Sequence, residues 1–324
     1  MSDSAKVLVT GATGFVGRAV LRALLNHHEP SSGVVAAVRR ENLSADELPC
    51  RYKGGLELTS EDGWPEALVG VDVVIHCAAR VHVMAETAVD PLTEFRRVNV
   101  EGTIRLAKLA RASGVRRFVY LSSVKVHGES TTHRSPFRDS EGLAPQDPYA
   151  VSKAEAEQEL FTYCREQGME LVIVRPPLVY GPGVKGNFLS LMKLASSPLP
   201  LPFGAVANRR SMIYVDNLAH FLACCAKSPL ASGQSFLVSD CEDISLAELL
   251  LRLRRSLGKR PLLLPVPVAL FRFAGCLTGK QAVVERLVGS LQVDCDTAAN
   301  VLGWEPPYSV EQSLEATVDD FLAR

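Results

Sequence analysis

A chain of 324 residues, 47% hydrophobic and 22% charged, can bury a sizeable core; this excludes a globally disordered protein and allows one large domain or a core domain with a smaller lobe. A formal net charge of −1 gives no reason to expect nucleic acid or an anionic membrane as partner. The eight cysteines form no C-x-x-C pair and no metal-ligand spacing, so no metal is expected, and a reducing, cytoplasmic setting is.

Met1–Lys6 is short and polar and leads straight into a strand, so no signal peptide is expected. The first informative stretch is Lys6–Gly17, which reads as a buried strand, a glycine turn and the first turn of a helix over Val16–Leu25. Gly11, Gly14 and Gly17 form a G-x-x-G-x-x-G pattern, one residue away from the G-x-G-x-x-G dinucleotide fingerprint. In that context Gly11 permits the sharp turn, Gly14 lets the backbone approach a pyrophosphate, and Gly17 lets the helix lie close on the strand. Gly11, Thr13, Gly14, Phe15, Val16 and Gly17 are therefore the expected dinucleotide contacts.

The second strand, Val34–Val38, runs into Arg39-Arg40 with no carboxylate at its tip, although Glu41 follows. Guanidinium groups match phosphate geometry, so Arg39 and Arg40 favour NADP, with NAD kept open. Glu57-Leu58 ends a third strand candidate. The fourth, Val73–His76, leads into Cys77-Ala78-Ala79, small residues against which a dinucleotide can lie. A helical pattern over Pro91–Ser113 precedes the strand Phe118–Ser122.

Ser122-Ser123 fall at that strand's end, where parallel sheets bind ligands. Asp147 then reads as the N-cap and Pro148 as the first residue of a helix over Pro148–Gln167. Tyr149 and Lys153, at i and i+4, share its face. A lysine beside a tyrosine favours the phenolate and is expected to lower its pKa from about 10. Ser123, Tyr149 and Lys153 together make an acid/base tyrosine, its tuning lysine and a serine that orients a substrate oxygen.

After the strand Leu171–Arg175, prolines and glycines cluster at Pro176-Pro177, Gly181–Gly183 and Pro198–Gly204. A strand at Ser211–Tyr214, a helix at Val215–Lys227 and a strand at Ser235–Val238 are expected to return to the sheet. From Ser245 the pattern is helical. Leu262–Leu277 is the most apolar late stretch, but Pro265, Pro267 and Arg272 break it too often for a bilayer span. The expected fold is α/β: a Rossmann-type doubly wound parallel sheet (residues 1–175 plus 211–240) and a smaller, mostly helical C-terminal substrate lobe (176–210 plus 241–324).

With these pieces in place the chain resembles the extended short-chain dehydrogenase/reductase family of nucleotide-sugar epimerases, dehydratases and reductases. The matching segments are Gly11–Gly17, His76–Ala79, Asn99–Thr103, Ser122-Ser123, Tyr149–Lys153 and Arg175-Pro176, in family order over the first 180 residues or so. The resemblance implies a Ser123/Tyr149/Lys153 triad, with Lys153 on the nicotinamide ribose and Asn99 and Pro176 beside the cofactor. It also implies a nucleotide-sugar substrate. Asn187-Phe188 would contact its diphosphate, Phe203 its base and Arg210 a ribose or phosphate; Arg80 and His82 would line the sugar pocket. Pairing of the Pro91–Ser113 and Tyr149 helices across a homodimer is a further expectation of the family.

Among the family's reactions, 4,6-dehydration needs a threonine followed by Asp-Glu where this chain has Ser123-Val124-Lys125. The arginine pair and a general similarity to bacterial UDP-4-keto-6-deoxy-N-acetylhexosamine reductases favour reduction of a 4-keto sugar in surface-polysaccharide precursor synthesis. A UDP-hexose 4-epimerase is the alternative. A non-catalytic NADP sensor or a reductase of non-sugar carbonyls is more remote.

Overall fold

Short runs of Val, Leu, Ile and Ala, buried on both faces, make the central strands of this chain, and such runs belong in a parallel sheet covered by helices. The computed structural model describes residues 5–26, 33–39, 50–81 and 90–324. Its first half contains β1 (Val7–Thr10), α1 (Phe15–Asn26), β2 (Val34–Ala37), β3 (Arg51–Lys53), α2 (Trp64–Ala67), β4 (Val73–His76), α3 (Pro91–Arg96), α4 (Gly102–Ala112), β5 (Arg117–Leu121), α5 (Pro148–Gln167) and β6 (Glu170–Arg175). Then follow β7 (Leu178–Tyr180), α6 (Gly186–Ala195), β8 (Met212–Tyr214), α7 (Val215–Lys227) and β9 (Ser235–Leu237). The helices α8 (Leu246–Ser256), α9 (Val268–Leu277), α10 (Gln281–Val288), α11 (Asp296–Leu302) and α12 (Val310–Ala323) complete the chain.

The main sheet is seven-stranded, parallel, in the order β3-β2-β1-β4-β5-β6-β9. The order reverses direction at β1 and β4, and the crevice beyond the carboxyl ends of those strands is where such sheets take ligands. One core layer lies under α1 and α7 and continues into the lobe; a second lies under α4 and α5.

Three features depart from the sequence reading. Leu58 lies in a turn past the third strand, because β3 stops at Lys53 before Gly54-Gly55. The helix expected over Pro91–Ser113 is interrupted by a π-helical turn at Arg97–Glu101. Of the two late strands expected in the sheet, β9 pairs with β6, but β8 pairs with β7 in a separate two-stranded sheet.

Asp240, just past β9, ties that small sheet to the large one. Its carboxylate accepts from Tyr180 Oη (2.8 Å), the Tyr214 N–H (3.0 Å) and Asn217 Nδ2 (2.8 Å). On the other side, the fully buried Arg117 of β5 donates to Glu170 of β6 (2.6 Å) and, at the end of α7, to the carbonyls of Cys225 (2.8 Å), Ala226 (3.1 Å) and Ser228 (2.7 Å). Cys241 and Cys295, remote in sequence, bring their free thiols within 2.7 Å.

Candidate active site

The carboxyl ends of β1, β4, β5 and β6 lie side by side, and the sequence-predicted residues of the first half gather there. After β1 the chain turns at Gly11, whose φ of +63° disfavours any other residue. A Cβ at Gly11 would sit 2.8 Å from the Ala78 nitrogen, and one at Gly17 would sit 2.1 Å from the Gly11 carbonyl oxygen. The turn is thus closed against the end of β4 and against its own helix. Thr13 and Gly14 are exposed, Phe15 and Val16 half-buried, and no acidic residue occupies the first turn of α1. The helix N-terminus is open to an anion. This cradle fits the pyrophosphate of a nicotinamide dinucleotide. Gly17→Ala should cost about 1–3 kcal/mol by overpacking and weaken cofactor retention; an unchanged Tm and cofactor content in the purified variant would refute the close-packing argument.

The β4 end is held by a hydrogen-bond chain that no motif announced. The Ala78 N–H donates to Thr10 Oγ1 (3.1 Å), Thr10 Oγ1 meets His76 Nδ1 (2.7 Å), and His76 Nε2 meets Thr103 Oγ1 (3.0 Å). Burial, reinforced by the Lys153 charge, lowers the His76 pKa to about 3, so the ring is neutral and serves as a rigid bridge from β1 through β4 to α4. Asn99, buried in the π turn, accepts from the Arg80 N–H (2.7 Å) and donates to the Arg80 carbonyl (3.0 Å) and Ser152 Oγ (3.0 Å). It clasps the segment after β4 to α5, the helix that carries Tyr149 and Lys153. Pro176 is buried, and its carbonyl accepts from the Val124 N–H at 2.9 Å, joining the β6 end to the Ser122-Ser123 segment.

Asp147 caps α5, accepting from the Ala150 N–H at 2.7 Å, and Pro148 occupies its first turn, as the spacing predicts. Asp147 also binds Lys125 Nζ (2.5 Å), which reaches Glu129 as well (3.1 Å). The Tyr149 ring meets the edge of Phe95 with centroids 6.0 Å apart. Its phenol departs from the sequence expectation. Burial, with the Asp147 carboxylate adding to it, raises the Tyr149 pKa above its ordinary value. The physical reason is where Lys153 points: its Nζ donates to the Leu121 carbonyl (2.8 Å) and lies 4.6 Å from the Tyr120 ring centroid. Burial lowers the Lys153 pKa to about 8, against the favourable influence of Cys77 and Glu157. Cys77 is itself pushed up to about 12 by burial.

Ser123 is half-buried, and its Oγ accepts from the Lys125 N–H at 3.3 Å. Beside it the buried Ser122 Oγ has no hydrogen-bond partner among the described residues. An orphaned hydroxyl at the ligand edge of a sheet is one that a bound polar group would satisfy.

The remaining expected contacts are more scattered. Arg39 is exposed at the tip of β2; Arg40 and His82 lie outside the described residues. Glu57 is exposed, while the Leu58 carbonyl accepts from Arg105 Nη1 at 2.7 Å. Ala79 is half-buried, and the Arg80 guanidinium stands 5.7 Å over the Phe95 ring. Asn187 is exposed in the first turn of α6. The Phe188 side chain is fully buried and stacked on Tyr180 (5.2 Å), so it is lobe core rather than a ligand-facing ring. Phe203 stacks on Phe271 of α9 (5.3 Å), and Arg210 Nη1 donates to the carbonyls of Arg286 (2.7 Å) and Gly289 (3.1 Å).

Residues 7–238 match the NAD dependent epimerase/dehydratase family. A "UDP-glucose 4-epimerase" of Vibrio cholerae is 42% identical over 317 residues, covering 98% of this chain and 95% of the relative. An Escherichia coli O157:H7 protein named N-acetyl-alpha-D-glucosaminyl-diphospho-ditrans,octacis-undecaprenol 4-epimerase is 27% identical, with 98% and 95% covered. Among solved structures, the UDP-glucose 4-epimerase of Thermotoga maritima, determined with UDP-glucose, superposes with a TM-score of 0.77 at 22% identity, covering 98% of this chain and 99% of that one.

Proposed function

This chain belongs to the NAD-dependent epimerase/dehydratase family, and from that premise we propose that it is an NAD-dependent UDP-hexose 4-epimerase acting on a UDP-glucose-type sugar. The observation that carries this reading is the 42% identity, over nearly the whole of both chains, to a relative named for that activity. It favours the epimerase over the 4-ketoreductase expected from the Arg39-Arg40 pair and from the similarity to bacterial UDP-4-keto-6-deoxy-N-acetylhexosamine reductases, and the family's description names NAD.

When bound, NAD supplies a hydride acceptor in one half-reaction and, reduced, the donor in the other. The chain's own residues do the rest. Gly11–Gly17 and the α1 N-terminus hold the pyrophosphate, with Ala78 and Ala79 alongside. Lys153 holds the nicotinamide ribose. Ser123 Oγ positions the C4 oxygen of the sugar, and Tyr149, which would need the positive charge of bound NAD and of Lys153 to be held as the phenolate, would take the proton from that oxygen and later return it. The fixed segment from Ala78 to Arg80, clasped by Thr10 and Asn99, forms the wall against which cofactor and sugar are aligned. Arg210, anchored on the α10 end, reaches the nucleotide from the lobe.

Incubation of the purified protein with UDP-glucose should yield UDP-galactose with no net change in nicotinamide redox state, and NAD should co-purify near one equivalent per chain. Stoichiometric NADPH oxidation on a UDP-4-keto sugar, without epimerisation, would restore the reductase.

A further inference from the structure

Exposed apolar side chains are not spread evenly over this molecule. Among the described residues thirteen large hydrophobic residues are exposed, and six of them fall between Leu262 and Val283. Three of them, Leu270 (55% exposed), Phe273 (64%) and Leu277 (72%), stand at i, i+3 and i+7 on α9 and make one outward stripe. Leu262 and Leu264 precede the helix, and Val283 follows on α10.

The stripe is not a helix face waiting for the lobe to cover it. The opposite side of α9 is already packed: Phe271 lies on Phe203, and a Cβ on the buried Gly275 would stand 2.8 Å from Val284. The approach to the helix is strapped down as well. The Leu264 N–H donates to the Leu201 carbonyl (2.8 Å), and the Gly204 N–H donates to the Leu264 carbonyl (2.9 Å). Arg254 is buried and holds the Arg260 and Leu199 carbonyls. The fold therefore fixes the hairpin in place with its apolar stripe in water.

Charge identifies the occupant. Residues 259–286 contain Lys259, Arg260, Arg272, Lys280 and Arg286 but a single carboxylate, Glu285, a net of +4 in a chain whose total is −1. Glu285 is consumed by Arg272 (2.9 Å). Lys259, Arg260, Lys280 and Arg286 are exposed, and none has an ion pair among the described residues. A second copy of the chain would bring this cationic rim against itself across a two-fold axis. An apolar stripe rimmed by unpaired cations matches a surface that is hydrocarbon within and anionic outside.

We propose that the α9–α10 hairpin docks this protein peripherally on an anionic lipid bilayer, with Leu270, Phe273 and Leu277 entering the acyl boundary and the surrounding cations resting on lipid phosphates. The whole-chain charge conceals this, because the rest of the molecule offsets the local excess. No described helix is long and apolar enough to cross a membrane, so the contact is on the surface. The stacking of Phe271 on Phe203 and the Arg210 contact with the Arg286 carbonyl attach the docked hairpin directly to the substrate lobe. The inference stands independently of the epimerase reading, since it requires no turnover.

The test is co-sedimentation of the full-length protein with phosphatidylcholine vesicles, with and without about one-third phosphatidylglycerol. Binding to the anionic vesicles is expected, at least about tenfold stronger than to the neutral ones and weakened by salt. Phe273→Glu with Leu277→Glu should abolish it, and Lys280→Glu should weaken it, while Tm and turnover of a soluble UDP-sugar stay at the parent level. Equal recovery in the supernatant with both vesicle types overturns the proposal. So does a shift from dimer to monomer by light scattering in the double variant without any vesicle binding by the parent, which would assign the stripe to a second copy.

Discussion

Tyr149→Phe should lower turnover about 10²–10⁴-fold, the range for loss of a positioned acid/base group, with NAD content and Tm little changed. The ring remains in place against Phe95, and the side-chain hydrogen bonds that hold the start of α5 in position are made by Asp147 and Asn99. Loss confined to kcat, with unaltered UDP-sugar affinity, identifies Tyr149 as the proton carrier. Turnover within a few-fold of the parent would remove it from that role and with it the assignment of Ser123 and Lys153. The same geometry sets a spectroscopic expectation: burial and Asp147 keep the phenol protonated in the cofactor-free protein, so ultraviolet titration should show no tyrosinate at position 149 at neutral or mildly alkaline pH.

Lys153→Met should have opposite effects on stability and on activity. The buried ammonium has its pKa lowered from 10.5 to about 8, which is a cost to the folded state of about 3 kcal/mol while the group is charged. The sign follows from proton uptake: between about pH 8 and 10.5 the unfolded lysine holds a proton that the folded one has released. That cost is therefore full below about pH 8 and is relieved as pH rises through this window. Methionine fills the space without the charge. The cofactor-free variant should gain about 1–3 kcal/mol at neutral pH, lose the rise in stability above pH 8, and retain less than about 1% of parent turnover. A Tm that falls at neutral pH would mean that the hydrogen bond to the Leu121 carbonyl outweighs the desolvation of the ammonium. A gain in Tm at neutral pH would instead show that the charge on Lys153 is a cost the fold carries.

What could be read in the sequence was local. β1, β4 and α7 stand where their apolar runs place them, and the glycine turn and the capped α5 start carry the features their spacing implies, because each is settled by a few neighbouring residues. The expectation that Lys153 lowers the Tyr149 pKa failed because i, i+4 spacing brings two residues to one face but does not say where a long, flexible side chain finds its acceptor; the Leu121 carbonyl comes from another strand. The placement of β8 failed for a similar reason. Three buried residues suit either sheet, and the contacts that accompany the pairing of β8 with β7, Asp240 reaching Tyr180, Tyr214 and Asn217 together, come from a residue remote in sequence. The π turn that seats Asn99 has no compositional mark at all. Thr10 and Thr103 look like ordinary strand and helix residues until His76 is placed between them. In the lobe, the expectation that Phe188 contacts the diphosphate gives way to its burial, because nothing in the local sequence shows that its ring packs on Tyr180.

The position of β9 bears on how the molecule comes into being. The first 175 residues hold every feature that marks a dinucleotide fold, yet β6 finds its outer neighbour only in β9, and Arg117 finds its acceptor carbonyls only at the end of α7. Both are encoded after the 176–210 segment. During synthesis the nascent chain carries an unpaired strand edge and a guanidinium that has Glu170 but lacks its three carbonyl acceptors until that later stretch has left the ribosome, and such an edge invites pairing with other chains. A fragment ending at Arg175 keeps the glycine turn and the helix that carries Tyr149 and Lys153 and lacks the parts that close the sheet around them. The two halves divide the chemistry between them, but they are assembled as one.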